Sequence, residues 1–112
     1  MSKQWQAYAH HVIEAIEKIA RIQERGDFIQ DEVLFDATLR NLQTMAEATQ
    51  KLPDHLKSQF PDIYWNEISG FRNILVHNYL GDIDPMTVKL VVTNHLPHLL
   101  DCVKTMLQKT PD

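Results

Sequence analysis

The chain has 112 residues, 44% of them apolar and 23% charged, which suits a single domain with a core of its own. Three glycines and five prolines argue against a turn-rich β-sandwich or barrel, and the single cysteine, Cys102, excludes an internal disulfide framework or a cysteine-built zinc site. Eleven basic against fifteen acidic residues leave a net charge of −4, the wrong sign for a protein that coats nucleic acid non-specifically.

No apolar leader and no apolar run of about 18 residues is present, so neither export nor membrane spanning is expected, and a reducing cytoplasm is the expected compartment. From about Lys3 to Glu24, Trp5, Tyr8, Ala9, Val12, Ile16, Ile19 and Ala20 recur at helical spacing and predict an amphipathic helix stopped by Gly26. A second helix is expected from about Asp31 to Lys51, with Asp27 or Asp31 as its N-cap. Its inward stripe would be Leu34, Leu42, Met45, Thr49 and Leu52, and Pro53 would end it. Asp54 to Phe60 reads as a short helical turn closed by Pro61.

The third long helix is predicted from Asp62, with Tyr64, Ile68, Phe71 and Leu75 inward, stopping near Tyr79 ahead of Gly81. Asp84-Pro85 then reads as an N-cap followed by proline in the first turn. The last helix runs to about Lys109 with Val88, Val92, Leu96, Leu99, Val103 and Leu107 inward. Pro97 should bend it, and the β-branched run Val88 to Val92 leaves an isolated strand conceivable. Four long helices with short connections predict an all-α, up-and-down antiparallel bundle with one short helical turn, spanning residues 1–112 as a single domain.

Most candidate chemical groups have an ordinary explanation. His10-His11 and His95-Leu-Pro-His98 bring ring nitrogens close, but a metal needs three or four converging ligands, so no metal and no cofactor is expected. Cys102 has no basic neighbour to hold a thiolate, and packing is its expected role. The run Gly70-Phe71-Arg72-Asn73-Ile74-Leu75-Val76-His77-Asn78-Tyr79 is different, because it crowds polar and titratable groups onto an otherwise apolar helix. At about 100° per residue Asn73 and His77 share a face, while Arg72 and His77 diverge by about 140°. Spacing alone leaves two readings open: a reactive pair, or a surface ion pair at Arg72 with His77 as a partner of the helix C-terminus.

The arginine, four intervening residues and histidine, with Asn73 after the arginine and Tyr79 two past the histidine, resemble the HEPN superfamily, and most closely its HepT-like branch. Phe35 to Leu42 followed by Ala46-Glu47-Ala48 is similar to that family's second helix. The lead-in Pro61-Asp62-Ile63-Tyr64-Trp65 and the turn Asn94-His95-Leu96-Pro97 are also similar, so the likeness covers about residues 31 to 100. Met45-Ala46 and Phe71 depart from the family's usual residues without touching a reactive group.

The resemblance implies a single HEPN-like domain acting as a metal-independent endoribonuclease toxin of a type VII toxin–antitoxin system. It would cleave tRNA or mRNA by attack of the 2′-hydroxyl on the adjacent phosphate. It implies Arg72 and His77 as the catalytic pair, with Asn73 in support. It further implies a homodimer and a partner, a minimal nucleotidyltransferase antitoxin that transfers AMP to Tyr79. The chemistry suits the side chains: a histidine moves protons near neutral pH, and an arginine offers a fixed fork of donors to phosphate. Because the two diverge on one helix, a two-fold pair of helices supplies both groups to one phosphate more easily than one helix does. Arg40, Thr44 and Glu47 lie on one stripe of the second helix, where Glu47 could orient Arg72 or pair with a surface lysine. An alternative of another class stays open: a non-catalytic HEPN subunit that binds nucleotide or substrate for a nucleotidyltransferase, to which the acidic charge is better suited.

Overall fold

The computed structural model describes residues 3–77 and 83–109. The expected terminator Gly81 and the proposed AMP acceptor Tyr79 lie outside the described residues.

Helix α1 (Lys3–Arg25) turns Trp5, Ala9, Val12, Ala15, Ile16 and Ile19 into the core, as the periodicity predicts, while Ala20 stays exposed on its edge. Gly26 follows at φ +159°, where an added Cβ would press on Leu34 Cδ1 at 3.1 Å. Asp31 is the N-cap of α2 (Glu32–Thr49): its Oδ1 accepts from the backbone N–H groups of Val33 and Leu34 at 2.9 and 3.3 Å. Such a cap stabilises a helix start by about 1 kcal/mol. The buried hydroxyls of α2 are satisfied within the helix, Thr38 on the Leu34 carbonyl and Thr49 on that of Ala46.

The short α3 (Asp54–Lys57) locks the next helix in place. Lys57 Nζ donates to the carbonyl of Thr49 at the end of α2, and lies 5.8 Å from the Trp65 ring centroid. The indole N–H of Trp65 in turn reaches the carbonyls of Lys57 and Phe60 at 3.1 and 3.3 Å. Helix α4 (Trp65–His77) therefore starts at this anchor rather than at Asp62. A tight turn precedes it, in which Ile63 N–H bonds the Phe60 carbonyl, and Ile63 rather than Tyr64 goes inward. Tyr64, expected inside, is 63% exposed.

Asp84 caps α5 (Pro85–Leu90) through Met86 N–H at 3.1 Å, with Pro85 in the first turn. Residues Val91–His95 form one π-helical turn, in which Leu96 N–H bonds the carbonyl of Val91, and α6 (Leu96–Lys109) continues from it. The expected disturbance at Pro97 thus takes the form of a widened turn just before the proline. That is how a helix can relieve the clash between the ring and the carbonyl four residues back. Val88 to Val92 are helical, which closes the strand alternative.

Helix α1 packs along α2 and α6, and α2 packs along α4. The result is an all-α bundle of four long rods, the last being α5, the π turn and α6 together, with no strand among the described residues. Val12, Ile19, Leu42, Val88, Val103 and Met106 are almost wholly enclosed, each contributing about 1.5–3 kcal/mol of burial. Because α4 meets the bundle chiefly through α2, its remaining surface is left open.

Candidate active site on α4

Among the residues of α4 only Leu75 is buried, with Ile68 and Phe71 packed half-buried against the core. Arg72 leaves this seam toward α2, where its Nη2 donates to Glu47 Oε2 at 3.3 Å. The same Glu47 oxygen accepts from Gln43 Nε2, one helical turn back, at 3.3 Å. On its other side Arg72 Nη1 donates to Asn73 Oδ1 at 3.3 Å. The Arg72 and Glu47 side chains are 31% and 42% exposed, so the pair is half sheltered and still open to a ligand. Arg72 Nε is buried with no hydrogen-bond partner among the described residues.

Of the two partners the sequence left open for Glu47, the structure holds Arg72 and not a lysine. Gln43 escaped the sequence reading, although a glutamine four residues before a glutamate is a recognisable helical hydrogen-bond spacing. His77 closes the described part of α4 and is exposed, as is Asn73. Gly70 shares their face, and a Cβ built there meets nothing within 4 Å. Ile74, between them, is 47% exposed.

The other histidines are placed apart from this face. His11 packs edge-on against Tyr8 at 5.9 Å, and His98 Nε2 bonds Asp62 Oδ2 at 2.8 Å across 36 positions of sequence. That hydrogen bond holds the Asp62 carboxyl below the ordinary carboxylate range. No group of three or more His, Cys, Asp or Glu able to hold a metal occurs among the described residues, and none of the described helices is long and apolar enough to cross a membrane. Cys102 is buried, and desolvation, reinforced by the negative charges of Asp62 and Asp101, pushes its thiol up, away from nucleophilic duty.

A small helical bundle that leaves an arginine, a histidine and an asparagine on one under-packed helix defines a class of compact all-α domain with a polar working face. The profile of the family described as ribonuclease HepT-like matches residues 10–106, and the chain belongs to that family. It is 31% identical over 106 residues to a candidate RNase of Caldanaerobacter subterraneus subsp. tengcongensis, covering 91% of this chain and 93% of that protein. It is 29% identical over 102 residues to a probable ribonuclease HepT of Thermococcus cleftensis, covering 88% and 92%. A longer Methanocaldococcus jannaschii protein, whose name joins gamma-glutamylcyclotransferase to a candidate RNase, is 28% identical over 112 residues, or 97% of this chain and 50% of that one. No solved structure matches the chain significantly.

Proposed function

We propose that this HEPN-like domain is a metal-independent endoribonuclease, the toxin of a type VII toxin–antitoxin pair. The observation that carries the reading is Arg72, held beside a half-open carboxylate on a helix that also presents His77 to solvent, in a chain of the ribonuclease HepT-like family. His77 takes the proton of a ribose 2′-hydroxyl as that oxygen attacks the adjacent phosphorus. The bond from phosphorus to the 5′-oxygen breaks and that oxygen takes a proton from water, so the 5′ fragment ends in a 2′,3′-cyclic phosphate and the 3′ fragment begins with a 5′-hydroxyl. Arg72 steadies the charge growing on the non-bridging oxygens, Glu47 and Gln43 keep its fork in place, and Asn73 braces it from the other side.

The active unit is a homodimer whose two α4 helices supply Arg72 and His77 across a two-fold axis. Gly70 supports that arrangement: a mid-helix glycine costs about 1 kcal/mol relative to alanine, and nothing among the described residues crowds its position. Close approach by a second copy would explain it, and exposed Ile74, one turn on along α4, offers apolar surface for the contact. In the cytoplasm the partner is a minimal nucleotidyltransferase that moves AMP from ATP to the Tyr79 hydroxyl with loss of pyrophosphate. The added phosphate and nucleoside would then stand where substrate phosphate must bind.

The deciding experiment incubates purified protein with tRNA and mRNA, with and without EDTA, and maps the cut ends. Cleavage that survives EDTA and leaves 2′,3′-cyclic phosphate is expected. Binding without cleavage would instead favour a non-catalytic nucleotidyltransferase partner, and a strict magnesium requirement would reject the 2′-hydroxyl mechanism.

A further inference from the structure

Between α2 and α4, on the side where Arg72 meets Glu47, runs a cleft of about 480 Å³ lined by Asp36, Leu39, Arg40, Gln43, Leu75 and Val76. Its α4 wall, Leu75 and Val76, falls between Arg72 and His77 in sequence. Three of its residues are apolar, and its α2 wall ends in two opposite charges. Asp36 precedes Arg40 by four residues, a spacing at which carboxylate and guanidinium commonly pair. Among the described residues, neither side chain makes an ion pair or hydrogen bond, and both are exposed. Gln43 is already committed to Glu47 through its Nε2, which ties the cleft to the Arg72 site.

We infer that this cleft is a nucleotide subsite of the RNA site, in which Arg40 holds a phosphate, the apolar floor takes a base, and Asp36 selects a base carrying an exocyclic amino group. The inference rests on the ribonuclease reading. Arg40 lies seven residues, about 10.5 Å of helix, before the glutamate that holds Arg72. A stacked strand advances about 3.4 Å per nucleotide, so the Arg40 and Glu47 positions on α2 are separated by the length of about three nucleotides of one strand. Half-buried Leu39 and Val76, with Leu75 enclosed beneath them, give a base an apolar bed. Asp36 can only accept hydrogen bonds, so it favours an amino group and opposes the carbonyl-rich edge of uracil.

The test measures equilibrium binding of uncleavable 2′-O-methyl oligocytidine and oligouridine over a range of salt. The wild type should bind oligocytidine at least fivefold more tightly than oligouridine, and Asp36→Ala should bring that ratio below twofold. Arg40→Ala should weaken binding of both and flatten the dependence of log K on log salt by about 0.7, the share of one phosphate on a single strand. Arg21→Ala, an exposed cation on α1, should leave the slope alone. Equal binding of the two oligonucleotides by the wild type, no detectable binding, or an unchanged slope in Arg40→Ala would overturn the inference. Since these probes cannot be cut, the outcome is separate from the catalytic reading. Binding with these dependences but no cleavage of natural RNA would sink that reading alone, and cleavage without them would sink the subsite alone.

Discussion

Helices α1 and α4 face opposite demands. In α1 the residues at helical spacing are consumed by the core, from Trp5 through Ile19, and its other face is ordinary exposed polar surface. In α4 only Leu75 is fully enclosed, while Gly70, Asn73, Ile74 and His77 are all turned to solvent and Arg72 reaches across to another helix. Packing explains nearly every choice in α1 and few in α4. A helix whose sequence its own fold does not account for points to something outside the chain, which in the function proposed above would be RNA and a second copy.

The comparison breaks most sharply by substitution on each side of it. His77→Ala and Arg72→Ala should each lower RNA cleavage by about 10²-fold or more. Their melting temperatures should stay within a few degrees of wild type, because one group is exposed and the other sits in a half-exposed ion pair of modest worth. Leu42→Ala, in the wholly enclosed stretch of α2, should do the reverse. It loses about 3 kcal/mol of stability, lowering Tm by about 10 °C, while the protein that remains folded still cleaves. Thermal melts paired with single-turnover cleavage decide it; an Arg72 or His77 variant that unfolds would return α4 to the same category as α1.

Gly70 sharpens the contrast at smaller scale. Gly70→Ala adds a methyl where no described residue lies within reach, so it should stabilise the isolated protomer by about 0.5–1 kcal/mol through helix propensity. The same methyl should weaken self-association and cleavage if a second α4 lies against it. Sedimentation equilibrium and a melt on the same preparation read both effects. A variant that is more stable and equally dimeric would move the two-fold contact elsewhere.

What the sequence discloses follows the same division. The stripe of α1 and the Asp84-Pro85 start are local features, written in spacing and in single residue types, and they are present with the exception of Ala20, which is exposed; of the two cap candidates, Asp31 rather than Asp27 caps α2. The start of α4 lies at Trp65 and not at Asp62 because it depends on a tertiary hydrogen bond, from the Trp65 indole to the carbonyls of Lys57 and Phe60, which no periodicity announces. Tyr64 is exposed for the same reason, since the preceding turn sends Ile63 inward instead. Proline at position 97 announces trouble but not its resolution, which is a π turn and not a simple bend. At the site, Arg72 and His77 stood out as residue types without a packing reason. The partner of Glu47 could not be read from one helix, because it lies 25 positions away on another.

The smallest expected effect concerns the Asp62–His98 contact, which ties the turn before α4 to α6 at 2.8 Å. The bond from His98 holds the Asp62 carboxyl below its ordinary value near about 3.9. A carboxylate with a depressed folded value binds its proton more readily when unfolded. Its contribution to stability is therefore complete above the unfolded value and disappears as pH falls through the lower folded one. Both side chains are largely in water, so the contribution is slight and salt-sensitive. Asp62→Asn should accordingly lower Tm slightly at pH 6, and the gap to wild type should close on acidification below about pH 4. Added salt should narrow the gap at pH 6 while leaving the larger Leu42→Ala deficit in place, since burial is not screened. A gap that instead widened in acid would mean that Asp62 is held in its neutral form by the fold, contrary to the hydrogen bond from His98.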